Sequence, residues 1–579
     1  MARISGSNRA ARPPASNLQP PTTRISGKRA LLEQLRADGV RHVFGNPGTT
    51  EQGFMDLLQD YPEIEFVLAL HEGVAVAMAD AYARLTHKPA FVEVHIAPGL
   101  GNALGMLHNA RIGHSPLVVY AGQSESRALF QEPHLSGPLV DMARPICKWA
   151  AQIEHARDVP QALRRAFKIA DEPPQGPVFL ALPMDVLDHE ADMSIEPTSF
   201  TRWRTRPDPA AIEEAVEVLL QAKSPMLMVG DGVALAGAQA EAVEVAELLG
   251  AGMFDCYASE FNAPASHPLN LGAVDFLRPH ALRALLQDCD VLLAAGAPLF
   301  QVVFPDPDAP VLAAHTKLVQ IDADAWQIGR NFPPTVGILS DPKGALGELA
   351  ALLRRRRSEE QAGAAAKRAE ALAARTRSAR ERYWAAAKER WDAEPITAAR
   401  LMAEIKDALP DNGLIFSEAG THAGNLYRTI EPDAPDLLLR ARGGGIGGGM
   451  PGALGAQLAR PDRKVVAPCS DGSSMYSITA LWTAAHHRIP VTYVMLNNAS
   501  YRILKLNMLD YLGSEAKDRQ FVAMDLTDPE LRFDRFAEAV GLPAWRVSRP
   551  DELGPALREA IAHGPSLVDV AIESPLPAM

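Results

Sequence analysis

Asp471 and Asn498 stand 27 residues apart, each just beyond a short apolar run, Lys464–Pro468 and Val491–Leu496. The segment between them reads as one helix, roughly Met475–His487, followed by the second run. A strand–helix–strand unit of that length returns the chain to a neighbouring strand end, so both residues face one cavity. A carboxylate, an amide oxygen and a backbone carbonyl, here that of Ser500, make a set of hard oxygen ligands. Magnesium takes such sets and completes its octahedron with phosphate oxygens and water. Asp-Gly and Asn-Asn are also ordinary turn residues. Val229-Gly230-Asp231-Gly232 has the same look, but the residue 27 beyond Asp231 is Ala258, which is no ligand.

Three other stretches carry chemistry-bearing types. Leu68-Ala69-Leu70-His71-Glu72-Gly73 places a carboxylate at a strand-to-helix junction, where the helix dipole favours a Glu whatever its use. Gly443-Gly-Gly-Ile446-Gly-Gly-Gly-Met450-Pro451 sets one bulky apolar residue among six glycines. Such a turn lets backbone approach a ligand closely, and alone it also reads as a weak dinucleotide fingerprint or a linker. Ser417-Glu418-Ala419-Gly420-Thr421 again follows a strand.

The elements that must position these residues are short apolar runs alternating with helical patterns. Ile64–Leu70, Ala90–Ile96, Leu117–Ala121 and Val178–Leu182 read as buried strands, with an amphipathic helix at Gly73–Leu85. Past a Pro-rich seam at Thr198–Pro209 come Met226–Gly230, Val291–Ala295 and Leu318–Asp322, and then Leu414–Ser417, Lys464–Pro468, Val491–Leu496 and Leu567–Ile572. That alternation predicts α/β domains, each a doubly wound parallel sheet covered by helices. Three are expected, at 28–195, 205–350 and 395–579, with a charged linker helix over 351–394 and a disordered tail over 1–27. The tail has five basic residues in its first 28 positions and no acidic ones.

The 579 residues are 47% hydrophobic and 22% charged, with net charge −13. This excludes a fibrous or disordered chain, and an acidic chain without a clustered basic face is a poor nucleic-acid binder. Four scattered cysteines with no CxxC pair exclude a zinc ribbon or a disulfide scaffold, and fit a reducing cytosol. The uncharged stretch Gly443–Ala459 is too short and too glycine-rich for a membrane span, so neither a membrane nor a nucleic acid is an expected partner.

The Asp-Gly…Asn-Asn pair at this spacing resembles the cofactor motif of thiamine-diphosphate-dependent enzymes, with Ser470 in place of the usual first Gly. The resemblance runs in order over about 28–575, and implies that the three domains are pyrimidine-binding, middle and diphosphate-binding. It implies that Asp471, Asn498 and Ser500 hold magnesium on the cofactor diphosphate, with Gly420, Thr421, Gly472, Ser473 and Tyr501 beside it. It assigns the Gly444 carbonyl to the exocyclic amine and Ile446 to the wedge between the two rings. Glu72 becomes the catalytic carboxylate at the pyrimidine, contributed across a subunit interface of a homodimer or homotetramer. Its task is to set the proton that makes the thiazolium ylid.

Within the family the likeness is to benzoylformate decarboxylases. It rests on Phe44-Gly-Asn-Pro-Gly-Thr-Thr50, Lys88-Pro-Ala-Phe91, Gly99-Leu-Gly-Asn-Ala103, His114-Ser-Pro-Leu117, Gly296-Ala-Pro-Leu-Phe300 and Tyr476-Ser-Ile-Thr-Ala-Leu-Trp-Thr-Ala-Ala485. It implies a proton-moving role for His95 and a hydroxyl near the substrate carboxylate at Thr49. Three positions depart from the pattern. Val303 stands where a second histidine is expected, and Arg440 and Asn507 stand at aromatic positions. The expected function is non-oxidative decarboxylation of a small 2-oxo acid through ylid and enamine. The alternatives are a carboligase or lyase like acetolactate synthase or the 2-hydroxyacyl-CoA lyases, and a non-catalytic relative. Some relatives hold FAD or ADP in the middle domain; Ser224–Ala238 has glycines but no phosphate-binding fingerprint. A cytoplasmic enzyme is expected.

Overall fold

The computed structural model describes residues 22–256, 259–274 and 279–576. Three six-stranded sheets, parallel throughout, form three α/β domains. In the first, the strands Glu65–Leu68, His42–Asn46, Ala90–Val94, Leu117–Gln123, Val178–Pro183 and Trp149–Gln152 lie side by side in that order. In the third, the order is Leu438–Arg440, Gly413–Ser417, Lys464–Ser470, Thr492–Asn497, Ser566–Ala571 and Ala544–Val547. The two domains therefore share one topology. The central sheet runs Asn270–Val274, Gly252–Cys256, Pro225–Val229, Val291–Ala295, Lys317–Asp322 and Val336–Leu339.

Inner strands are apolar because helices cover both faces: every residue of Leu117–Gln123 and of Thr492–Asn497 is buried. In the shared topology the winding direction reverses between the first strand and the third in chain order. A crevice opens there beyond the carboxyl ends. The first domain places it past Asn46 and Val94, the third past Ser417 and Ser470.

One apolar core joins the first and third domains, with Ala75, Met78 and Ala79 from the helix Glu72–Thr86 and Ala453, Leu454 and Ala456 from Gly449–Ala459. The two helices touch at backbone distance: a Cβ on Gly455 would stand 1.9 Å from the Met78 carbonyl oxygen. Gly455→Ala must push one helix off the other. We expect a loss of about 3 kcal/mol, the upper range for overpacking, read as a lower melting temperature of the joined domains. An unchanged melting temperature would show that the helices slide apart freely.

The helices Pro342–Arg356 and Glu359–Glu389 follow the central sheet. The second bridges domains: Arg368 bonds the Leu249 carbonyl of the central domain, and the Tyr383 hydroxyl meets Thr429 Oγ1 of the third at 2.9 Å. Among the described residues no helix is long and apolar enough to cross a membrane.

Three expectations are corrected. The tail, expected to be disordered over 1–27, lies outside the described residues as far as 21. From Thr23 it belongs to the first domain: Thr23–Ser26 pairs antiparallel with Glu190–Met193, and Ser26 Oγ caps the helix Gly27–Ala37. Its partner strand is far away in sequence, so local composition hid the pairing. The helix expected at Met475–His487 begins only at Ala480, and a separate short helix, Asp471–Ser474, precedes it. The Ser473 and Ser474 hydroxyls both bond the Ser470 carbonyl and bend the chain there. The strand expected to reach Ile96 stops at Val94, and Ile96 opens a helix.

Candidate active site

The third domain supplies one half. Asp471 opens its short helix straight off the strand Lys464–Ser470 and is 2% exposed. Its Oδ1 accepts from the Gly472 amide at 2.7 Å, and Oδ2 from the amides of Asn498 and Ser500 at 3.0 and 3.4 Å. The Ser500 amide also bonds Asn498 Oδ1 at 3.0 Å. Ala499, at φ 51°, folds the turn that makes this possible. The structure thus brings Asp471, Asn498 and Ser500 together. Burial pushes the Asp471 carboxyl up to about 6 against these amides. Among the described residues no three His, Cys, Asp or Glu side chains gather at a metal-sized site. An ion here would take one carboxylate and neutral oxygens, which suits magnesium shared with a diphosphate.

The neighbouring turn explains why Ser470 is tolerated. Gly420 has φ 53°, and a Cβ on it would stand 2.7 Å from Ser470 Oγ. The Ser470 hydroxyl donates to the Glu418 carbonyl at 3.0 Å. Tyr501 packs on Gly472, where a Cβ would stand 2.4 Å from its ring. Ser473 is buried and Thr421 half-buried. His422, next to Thr421, is 5% exposed, and its Nε2 has no partner. Burial first, then Arg502, lowers its pKa to about 4, so it is neutral. An orphaned ring nitrogen beside a turn of backbone amides fits the oxygens of a bound diphosphate.

The glycine-rich loop is clamped from two sides. Glu418 accepts from the amides of Gly447 at 2.9 Å and Gly449 at 2.7 Å, and burial pushes its carboxyl up to about 7. Asn109, on the first-domain helix Ile96–Ile112, bonds both the amide and the carbonyl of Gly445, at 2.9 and 2.8 Å. A Cβ on Gly443 would stand 2.2 Å from Asn109 Cα, and Gly443 and Gly444 have φ 86° and 92°, so the clamp needs glycine. Ile446 is held out of this loop at 38% exposure, an apolar group presented rather than packed.

The first domain supplies the other half. Glu72, 5% exposed, starts its helix after His71, whose Nδ1 accepts from the Gly73 amide. Asn102 Nδ2 donates to Glu72 Oε2 at 3.0 Å, and Gly99 leaves room for Oε1, which a Cβ would meet at 2.7 Å. At the switch point His95 follows its strand and packs on Gly48. Its Nδ1 lies 2.8 Å from Oε2 of Glu51, which is fully buried. Ile96 beside it has φ 41°, a strained value for a β-branched residue. Thr49 is exposed at this edge; it is Thr50 whose hydroxyl reaches His95 Nδ1, at 3.3 Å.

Of the departures, Val303 is 50% exposed and Asn507 half-buried in the helix Arg502–Leu512. Arg440 Nη2 lies 3.7 Å from Asp255 of the central domain, so its charge is already met by a carboxylate. Glu51, Asn109, Glu418 and His422 were not singled out from sequence. Glu51 directly follows the Phe44–Thr50 run and Glu418 lies in the Ser417–Thr421 run, so both sit beside motifs that the sequence does mark.

Comparison with known proteins matches three family models along the chain. They are the thiamine pyrophosphate enzyme N-terminal TPP binding domain at 25–136, its central domain at 212–349 and its C-terminal TPP binding domain at 418–570. A benzoylformate decarboxylase of Pseudomonas aeruginosa is 34% identical over 558 residues, spanning 94% of this chain and 98% of the relative. An acetolactate synthase isozyme 3 large subunit of Escherichia coli is 28% identical over 556 residues, spanning 93% and 92%. Among solved structures, a thiamine diphosphate-dependent 4-hydroxybenzoylformate decarboxylase of Rhodococcus jostii superposes with a TM-score of 0.81 at 28% identity, covering 95% of this chain and 100% of that one.

Proposed function

Since this chain belongs to the thiamine pyrophosphate enzyme family and is an enzyme acting on carbon–carbon bonds, we propose that it is a magnesium-dependent decarboxylase of a small 2-oxo acid. When bound, thiamine diphosphate supplies the electron sink that lets carbon dioxide leave such an acid. Asp471, Asn498 and the Ser500 carbonyl would hold magnesium and, with Gly420, Thr421, Gly472, Ser473 and His422, the diphosphate. The loop clamped by Glu418 and Asn109 presents Gly444 and Ile446 to the rings, with Tyr501 bracing Gly472. Glu72 holds the proton at the pyrimidine nitrogen from a water-poor site.

The observation that carries decarboxylation is His95, held through Nδ1 by the buried Glu51. Its Nε2 is left to deliver a proton. A decarboxylase must protonate the carbon that loses carbon dioxide; a ligase hands that carbon to a second carbonyl compound. Thr49, exposed at the same edge, would meet the substrate carboxylate.

A carboligase or lyase is the second reading. It is favoured by Val303, which leaves the loop after Gly296–Phe300 without a second proton donor. Incubation of the loaded enzyme with a panel of 2-oxo acids tests both. Carbon dioxide with free aldehyde supports the decarboxylase. Carbon dioxide with an acyloin or acetolactate-like product supports the ligase. No carbon dioxide from any acid overturns the decarboxylase and the ligase and leaves only a lyase, whose mark is aldehyde released from a 2-hydroxyacyl thioester.

The middle domain is read as carrying no nucleotide. Asp231 fills its switch point, accepting from the amides of Ser259 and Glu260 and from the Ser259 hydroxyl. A phosphate would need those donors and would be repelled by that carboxylate. A dimer or tetramer in the cytoplasm is proposed. Buried free thiols at Cys147, Cys289 and Cys469 suit a reducing compartment.

A further inference from the structure

The first-domain sheet buries a carboxyl that no step above uses. Glu93 lies on the strand Ala90–Val94, two residues before His95, with 0% exposure. In register it sits between Gly45 and Tyr120. The glycine is required: a Cβ at position 45 would stand 2.4 Å from Glu93 Oε2. Gly122, two residues beyond Tyr120 and so on the same face of the sheet, makes room for Glu51 in the same way. A Cβ there would stand 2.3 Å from Glu51 Oε1. Two carboxyls are therefore let into side-chain-free gaps of one sheet face.

Their surroundings are opposite. Glu51 accepts from the amides of Gly48 and Gly122, at 3.0 and 2.8 Å, and from the Thr50 hydroxyl at 2.7 Å, besides facing His95 Nδ1. Neither Glu93 oxygen has a hydrogen-bond partner, and the Tyr120 hydroxyl is equally bare. The backbone of Asn46 on the neighbouring strand favours the Glu93 anion, and it is the smallest of the influences on that carboxyl. A carboxylate ringed by donors is stabilised as the anion, and a buried one without donors is held neutral. Burial first, then the charges of Glu51 and Glu72, pushes the Glu93 carboxyl well above the usual carboxylate range. Burial, then Glu51 and Glu93, likewise pushes the Tyr120 phenol up.

We propose that Glu93 is a positioning residue for His95: Glu51 and Glu93 hold one proton between them, it resides on Glu93, and the single charge left on Glu51 fixes the imidazole with Nδ1–H toward Glu51 and Nε2 free for proton exchange. This rests on the reading of His95 as the proton donor of the reaction. Were Glu93 to ionise as well, its charge would join those of Glu51 and Glu72 in one low-dielectric gap. The added field would tighten the hold of His95 on its proton. Glu93 thus sets an alkaline limit to turnover. A carboxyl whose pKa is raised by folding stabilises the fold at low pH, and that contribution is lost as pH rises through its folded value.

The test compares the full chain with Glu93→Gln, which is neutral at every pH and nearly the same size. With thiamine diphosphate and magnesium bound, turnover of the variant should match the parent within a few-fold at mildly acid pH. The alkaline limb of the parent's profile should lie at higher pH, or be absent, in the variant. Without cofactor, the melting temperature of the parent should fall faster with rising pH, so that the gap to the variant widens. Infrared spectra of the parent should show a protonated carboxylic acid persisting at about pH 8, far above an ordinary glutamate, and absent from Glu93→Gln. Identical pH dependence of turnover and melting in the two proteins overturns the proposal. If the variant does not fold, the infrared band of the parent decides alone, and its absence is fatal. Failure to turn over any 2-oxo acid would instead sink the functional reading, while the melting and infrared arms still judge the proton on Glu93.

Discussion

Glu72→Gln should leave the fold intact and lower turnover by about 10³–10⁴-fold, the upper end of what one acid–base group contributes. The site explains both halves of that expectation. The side chain is buried at the first turn of its helix, and its Oε1 lies against Gly99. An amide fills the same volume, and its oxygen can still accept from Asn102 Nδ2, which now bonds Oε2 at 3.0 Å. Packing should therefore survive, with a stability change below about 1 kcal/mol. What the amide cannot do is exchange a proton with the pyrimidine nitrogen. Deuterium exchange at the thiazolium carbon, followed together with kcat, separates this step from later ones. Exchange as fast as in the parent would remove Glu72 from the role. Asn102→Leu, which removes the donor and keeps the carboxylate, should cost much less.

What sequence could and could not tell about this site follows from where each residue finds its partners. Strands buried on both faces announce themselves as apolar runs, and the order of Lys464–Ser470 and Thr492–Asn497 around one helical crossover placed Asp471 opposite Asn498. His42–Asn46 escaped notice although it lies inside its sheet, because it contains His42, Gly45 and Asn46 and reads as a turn. Gly45 is there to clear space for Glu93, a demand set by a strand far along the chain. The clamps on the glycine-rich loop were hidden for the same reason. Glu418 bonds amides 29 and 31 residues away, and Asn109 bonds Gly445 across 336 residues. No local pattern encodes such pairs. Thr49 and Thr50 show the finest limit: the motif marks both, and only the turn geometry decides that Thr50 touches His95.

Asp471→Ala should abolish retention of thiamine diphosphate. It removes the one carboxylate of the expected magnesium set and leaves the amides of Gly472 and Asn498 without their acceptor, while Ser500 keeps only Asn498 Oδ1. The loss of affinity should exceed the roughly 10–100-fold that follows removal of an outer-shell partner at a metal site. Asp471→Asn separates the causes, since it keeps an acceptor for the turn but not the charge. Cofactor binding titrated with magnesium measures both variants, and parent-like affinity in Asp471→Ala would sink the assignment. The two dead variants together make a sharper test. The described hydrogen bonds of Glu72 stay within the first domain and those of Asp471 within the third. Exposed apolar side chains flank both halves: Leu70 before Glu72, and Ile446 and Tyr476 near Asp471. A second copy would cover them and complete each site. Mixed and re-equilibrated, Glu72→Gln and Asp471→Ala chains would then form dimers, half of them hybrid. Each hybrid carries one site with an intact Glu72 facing an intact Asp471, so about a quarter of parental activity should return. If both residues serve the same site from one chain, no mixture can recover any activity.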